Sequence, residues 1–150
     1  MAAQKLLIVE DDTFKSDRIC DCLTRLSETP VITLVTSVQA AVAILAERCF
    51  DVVLLDMALP SHQAHPGGAP ASSLLSGGIE IIMELSFLNR REKVIVITQY
   101  PEIEIEGVLV PVEHAEAAFK KMCNINLTGV VHYKHEEKVW ETSLITALRN

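Results

Sequence analysis

The residues best suited to chemistry are three consecutive acids, Glu10-Asp11-Asp12, and one carboxylate, Asp56, which interrupts the apolar stretch Val52-Val53-Leu54-Leu55-Asp56-Met57-Ala58-Leu59-Pro60. A hydroxyl, Thr98, closes the run KVIVIT, and an ammonium, Lys134, follows GVVHY. Clustered carboxylates repel one another unless a cation joins them, and hard oxygen ligands with room for water suit Mg2+. Glu10, Asp11 and Asp56 would form that metal site. A carboxylate is also a nucleophile towards phosphorus, giving an aspartyl phosphate, and phosphoryl transfer needs mainly positioning and charge neutralisation. Mg2+ and Lys134 would supply positive charge, and Thr98 would donate a hydrogen bond to a phosphoryl oxygen. Taken alone, Asp56 also reads as a strand's exit into solvent, because Asp is a common turn residue.

These groups can act together only if the fold gathers them, and periodicity alternates in a way that would. KLLIV (Lys5 to Val9) reads as a buried strand β1, and apolar residues at helical spacing from Thr13 to Leu26 as α1, with Asp12 suited to cap it. Val31 to Val35 gives β2, and Ser37 is the expected N-cap of an Ala-rich α2 beginning at Val38. The opening stretch is β3, Ile79 to Leu88 is α3, and Lys93 to Thr98 is β4. Glu113 to Met122 gives α4, Gly129 to Tyr133 β5 and Glu137 to Arg149 α5. Five strands alternating with five helices imply crossover connections, hence a parallel sheet covered on both faces. In such α/β sheets ligands bind beyond the carboxyl ends of the strands, where all the groups named above stand.

Length and composition bound the alternatives. A chain of 150 residues with 49% hydrophobic and 5% aromatic residues predicts one domain, 1–150, with a core of Val, Ile, Leu and Ala. A net charge of -7 argues against nucleic acid as partner. No apolar stretch approaches a bilayer span, and acids follow the first apolar run, so a cytoplasmic location without membrane association is expected. Cys20, Cys22, Cys49 and Cys123 form no paired CxxC modules and read as reduced, mostly packing thiols.

LLIVEDD, VVLLDMALP, VIVIT and the lysine of VVHYK, in that order, resemble the receiver domain of two-component response regulators, the CheY-like superfamily. The resemblance implies a flavodoxin-like, doubly wound five-stranded parallel sheet of order 2-1-3-4-5. It further implies phosphorylation of Asp56 by a histidine kinase or phosphotransfer protein. Within that pattern Glu10, Asp11, Asp56 and the backbone carbonyl of Ala58 are the metal ligands, for Mg2+ with Mn2+ as an alternative. Thr98 matches the switch hydroxyl, and Lys134 matches the lysine that pairs with the phosphoryl group. The output would be binding of a downstream protein; a homodimer stays open.

Several stretches depart from the family pattern. Residues 61–77, SHQAHPGGAPASSLLSG, form a long insertion after β3 whose Gly, Pro and Ser content suits a flexible flap, with His62 and His65 as ordinary loop histidines. Residues 99–112 extend the connection from β4 to α4, where Ile103-Glu104-Ile105-Glu106 alternates in strand fashion before Gly107; an added hairpin and a half-buried loop both fit. Gln99 replaces the small residue the family prefers beside the switch hydroxyl, Val131 replaces an aromatic, and Tyr133 is expected to point to the face opposite Lys134. His135 stands where the family has a cis-proline, so the lysine loop must close differently. These departures favour a rival reading, a pseudo-receiver that binds partners without phosphorylation. A haloacid-dehalogenase-type phosphatase fits less well, because Ala58 stands where that family wants a second Asp.

Overall fold

A computed structural model describes residues 2–63, 67, 73–74 and 76–150. Five strands, β1 (Lys5–Val9), β2 (Val31–Val35), β3 (Val52–Leu55), β4 (Lys93–Thr98) and β5 (Asn126–His132), form one parallel sheet of order 2-1-3-4-5. Between and after them run α1 (Thr13–Thr24), α2 (Val38–Glu47), α3 (Gly77–Phe87), α4 (Val112–Met122) and α5 (Val139–Arg149). The flavodoxin-like topology expected from the alternating periodicity is therefore the one observed.

The apolar strands are buried on both faces, and their side chains divide between two cores by simple alternation. Leu7, Val9, Val53, Leu55, Val94 and Val96 pack beneath α2, α3 and α4. Leu6, Ile8, Val52, Leu54, Ile95 and Ile97 pack beneath α1 and α5, around Trp140 and Tyr133. Asp12 caps α1 by accepting from the Lys15 N–H at 3.1 Å, and Ser37 caps α2 by accepting from Ala40 N at 3.1 Å.

Two differences from the sequence expectation, and one choice it left open, have physical causes. First, α3 begins at Gly77, earlier than the Gly-Gly pair suggests, because the glycines allow the helix to abut the chain after β3. A Cβ on Gly78 would lie 2.4 Å from the Asp56 carbonyl oxygen. Second, β5 begins at Asn126, and its pairing with β4 skips Thr128, Val94 opposing Leu127 and Ile95 opposing Gly129. This bulge inverts the facing of everything after it. Uninterrupted alternation from Leu127, which lies in the α2–α3–α4 core, would turn Lys134 towards α1 and α5. The extra residue instead turns Gly129, Val131 and Tyr133 that way and leaves Val130, His132 and Lys134 on the other side.

Third, residues after β4 form a hairpin, Glu102–Ile105 against Val108–Pro111, turning through Glu106 and Gly107, both at positive φ. Ile103 and Ile105 bury one side of it, settling the hairpin over the half-buried loop. After β3, Leu59–Pro60 pairs antiparallel with Ser73–Leu74, and Ser61 O accepts from Gln39 N at 3.0 Å. Most of the 61–77 insertion, including His65, lies outside the described residues; His62 Nδ1 sits 2.9 Å from Ser61 Oγ. Among the described residues, no helix is long and apolar enough to cross a membrane.

Candidate functional site

The carboxyl ends of β1 and β3, neighbours in the sheet, bring three acids together. Oxygen atoms of Glu10, Asp11 and Asp56 all lie within 4.8 Å of one another. Glu10 and Asp56 are buried, each 2% exposed, whereas Asp11 opens to solvent. Asp56 is held by its backbone N–H donating to Val9 O at 3.2 Å, and its Oδ1 accepts from Met57 N at 2.7 Å. Gly78 N donates to Met57 O at 2.9 Å, so the first turn of α3 braces the chain just beyond Asp56.

A residue that the sequence reading passed over completes the cluster. Lys15, in the first turn of α1, is 1% exposed, and its ammonium lies 2.7 Å from Glu10 Oε2 and 3.0 Å from Asp56 Oδ2. It also donates to Ile97 O and to Gln99 Oε1, each at 3.0 Å, which ties the end of β4 to the acids. The Tyr133 ring lies 5.6 Å from the same ammonium. The available signal was a lone cation in the first turn of a helix, directly after three acids. The helix dipole disfavours a cation there, so its burial calls for anionic partners.

Lys134 stands elsewhere. Its side chain is 53% exposed and lies 3.8 Å from Glu137, along a groove lined by Val112, His132 and Trp140. The β5 bulge accounts for this facing, and the loop beyond it closes without the family's proline. Glu137 N donates to Lys134 O, the Arg18 guanidinium contacts His135 O, and Tyr133 Oη meets His135 Nδ1 at 3.0 Å. The described residues contain no cis peptide bond. The described contacts of Lys134 are therefore with Glu137 and the groove, and not with the acids.

Thr98 is fully buried, and its Oγ1 accepts from Tyr100 N at 3.2 Å, leaving its own hydrogen free to donate. With Met57, Tyr100, Ile103 and Leu109 it lines a cavity of about 190 Å³ beneath the hairpin. Ala58 is buried two residues beyond Asp56. Gln99, whose bulk the sequence set beside the switch hydroxyl, is engaged by Lys15 and sits with its carbonyl 3.3 Å from His132 Nε2.

Burial raises the Glu10 carboxyl to about 7; Lys15 opposes the shift and the Asp56 charge adds to it. Partial desolvation of the otherwise exposed Asp11 raises its carboxyl too, with Asp56 contributing in the same direction. Both acids sit in a place that disfavours their charge, so the cluster has capacity for more cation than Lys15 supplies. Glu10 Oε2, in ion-pair contact with Lys15, has no hydrogen bond of good geometry. Three hard oxygen donors within one cation's reach, one of them incompletely satisfied, fit a divalent ion such as Mg2+.

No family model matches the chain. It is 34% identical over 148 residues to the Detocs response regulatory protein DtcB of Vibrio alginolyticus, covering 97% of this chain and 99% of that one. Among solved structures, a phosphorylated cyanobacterial phytochrome response regulator superposes with a TM-score of 0.66 at 16% identity, covering 99% of this chain and 92% of the other. The Mn2+-bound form of another response regulator superposes with a TM-score of 0.64 at 17% identity, covering 97% and 91%. A CheY-like receiver domain from Methylobacillus flagellatus gives 0.61 at 17% identity, covering 99% and 98%. With a full-length relative of this similarity and a CheY-like fold around the strand-end acids, the chain belongs to the response regulators as a receiver domain.

Proposed function

We propose that this receiver domain acts on its own, accepting a phosphoryl group on Asp56 in a Mg2+-dependent reaction and signalling by phosphorylation-dependent protein binding. The observation that carries the reading is the convergence of Glu10, Asp11 and Asp56 within 4.8 Å at the rim where Thr98 also lies. Glu10, Asp11, Asp56 and the Ala58 carbonyl would hold the metal, with Mn2+ as a substitute. When bound, the ion supplies charge neutralisation between the carboxylate and the phosphoryl oxygens. An Asp56 oxygen attacks phosphorus as the donor bond breaks. With a phosphohistidine donor the P–N electron pair leaves on the imidazole, and with an acyl phosphate the P–O pair leaves on a carboxylate. Thr98 donates its free hydroxyl hydrogen to a phosphoryl oxygen, a bond that exists only in the phosphorylated state. That difference biases a two-state equilibrium and alters the surface read by a downstream partner.

The donor is a histidine kinase or phosphotransfer protein, and the setting cytoplasmic. The test is intact mass after incubation with Mg2+ and a small acyl phosphate. The parent chain gains one phosphoryl group and Asp56→Asn gains none; labelling of the variant removes Asp56 from the role. The pseudo-receiver reading keeps one specific support: both Asp56 oxygens are already engaged, by Met57 N and by Lys15. A parent chain that stays unlabelled with Mg2+, and also after deletion of residues 61–76, would favour that reading.

A further inference from the structure

We infer that Lys15, not Lys134, is the lysine that pairs with the phosphoryl group on Asp56, so that this receiver draws its ammonium from the first turn of α1. The inference rests on Asp56 being the phosphoacceptor. Its grounds are geometric. Lys15 Nζ lies 3.0 Å from Asp56 Oδ2, the atom adjacent to any phosphoryl group carried by that carboxylate, while Lys134 is half exposed and 3.8 Å from Glu137. The ammonium reaches the site from the α1 side of the sheet, the side towards which Tyr133 turns, with the Tyr133 ring 5.6 Å away. The Thr128 bulge and the Lys15 placement are then two halves of one rearrangement, in which β5 presents an aromatic where it would otherwise present a cation.

The contacts of Lys15 also indicate what yields on phosphorylation. The ammonium donates hydrogen bonds to Ile97 O and Gln99 Oε1 and stands in ion-pair contact with Glu10 Oε2 and Asp56 Oδ2, the former without hydrogen-bond geometry. In the transfer step an O–P bond forms on Asp56 while the donor's bond to phosphorus breaks with its electron pair. Lys15 stays protonated throughout, and no proton moves to or from it. An anionic phosphoryl oxygen on Asp56 competes for the hydrogens of this ammonium. Of the two hydrogen-bond acceptors the Ile97 carbonyl is fixed in β4, so the neutral Gln99 side-chain amide is the one that yields. Gln99 lies two residues before Pro101 and three before the hairpin strand that starts at Glu102, so its release passes the event to the hairpin.

The test compares Lys15→Met with Lys134→Met in the full chain, by the rate of phosphoryl uptake from a small acyl phosphate and by calorimetric titration with Mg2+ alone. Lys15→Met should slow uptake by about 100-fold. It should also tighten Mg2+ binding by at least about 10-fold, because a like charge next to the metal ligands has gone. Lys134→Met should stay within about twofold of the parent in both, and Lys15→Arg, which keeps the charge, should recover part of the uptake. If Lys15→Met does not fold, Lys15→Gln carries the same comparison. Uptake that survives loss of Lys15 but not of Lys134, or Mg2+ affinity unchanged by Lys15→Met, overturns the assignment and leaves Asp56 phosphorylation standing. A chain that takes up no phosphoryl group, with or without residues 61–76, overturns both.

Discussion

Two lysines near one rim of the sheet live in opposite physical regimes. Lys15 is buried among Glu10, Asp56, Ile97 O and Gln99, where little water screens its charge. Lys134 is half exposed beside an exposed glutamate three residues on, where water and salt reduce the pair to little. Order along the chain favours Lys134 as the functional cation, and burial favours Lys15. A charged group acts on chemistry through its distance and its dielectric surroundings, and the difference teaches that sequence position stands in for these only while the intervening backbone keeps its register.

Lys15 itself is the most sensitive position. Lys15→Met leaves two carboxylates buried without their partner, and the loss from breaking a buried pair is about 3–5 kcal/mol. Denaturant unfolding in the presence of EDTA should show that loss, and a cost below about 1 kcal/mol would mean the cluster is not the buried ion pair described here. Next in size is the pH response of Glu10. Its carboxyl is raised from 4.5 to about 7 in the folded protein, so between those pH values the folded state binds more protons than the unfolded state. Stability therefore falls as pH rises through this window, by roughly 3 kcal/mol in total, and changes little from this source below it. Saturating Mg2+, which favours the ionised acids, should flatten the fall; a stability that rises from pH 5 to 7 in EDTA would contradict the burial argument.

The register of β5 is probed at the bulge. Gly129→Ala places a Cβ 2.7 Å from that of Ala147, an overpacking that costs about 1–3 kcal/mol, and Ala147→Gly in the same chain should restore most of it. Failure of the second change to rescue would mean that β5 and α5 do not meet as described. The smallest effect belongs to Lys134→Met, expected to shift stability by less than about 0.5 kcal/mol, since an exposed pair at 3.8 Å contributes little. A loss of several kcal/mol there would reverse the ranking of the two lysines.

Much of this arrangement was legible in the chain because it follows from short-range pattern. Buried strands read as apolar runs, Asp12 and Ser37 announce helix starts, and the alternation Ile103-Glu104-Ile105 with Gly107 allows a hairpin. The meeting of Glu10, Asp11 and Asp56 follows from parallel neighbours β1 and β3 ending at the same rim. Lys15 was missed because helical periodicity assigns a lone lysine to solvent, and only the third dimension shows carboxylates beneath it. The direction of Lys134 was missed because one inserted residue reverses every side chain after it. Gly129 within a strand run was the local sign of that bulge. Gln99 follows Thr98 in sequence as a larger residue than the family prefers, whereas its contact is with a lysine 84 positions away.

A phosphoryl group on Asp56 can be read out by chemical trapping. Borohydride reduces an aspartyl phosphate to homoserine, so protein incubated with Mg2+ and an acyl phosphate, reduced and digested, should show homoserine at position 56, and only when Mg2+ is present. Homoserine at another aspartate, or none at position 56 in protein that has gained phosphoryl mass, would contradict the account.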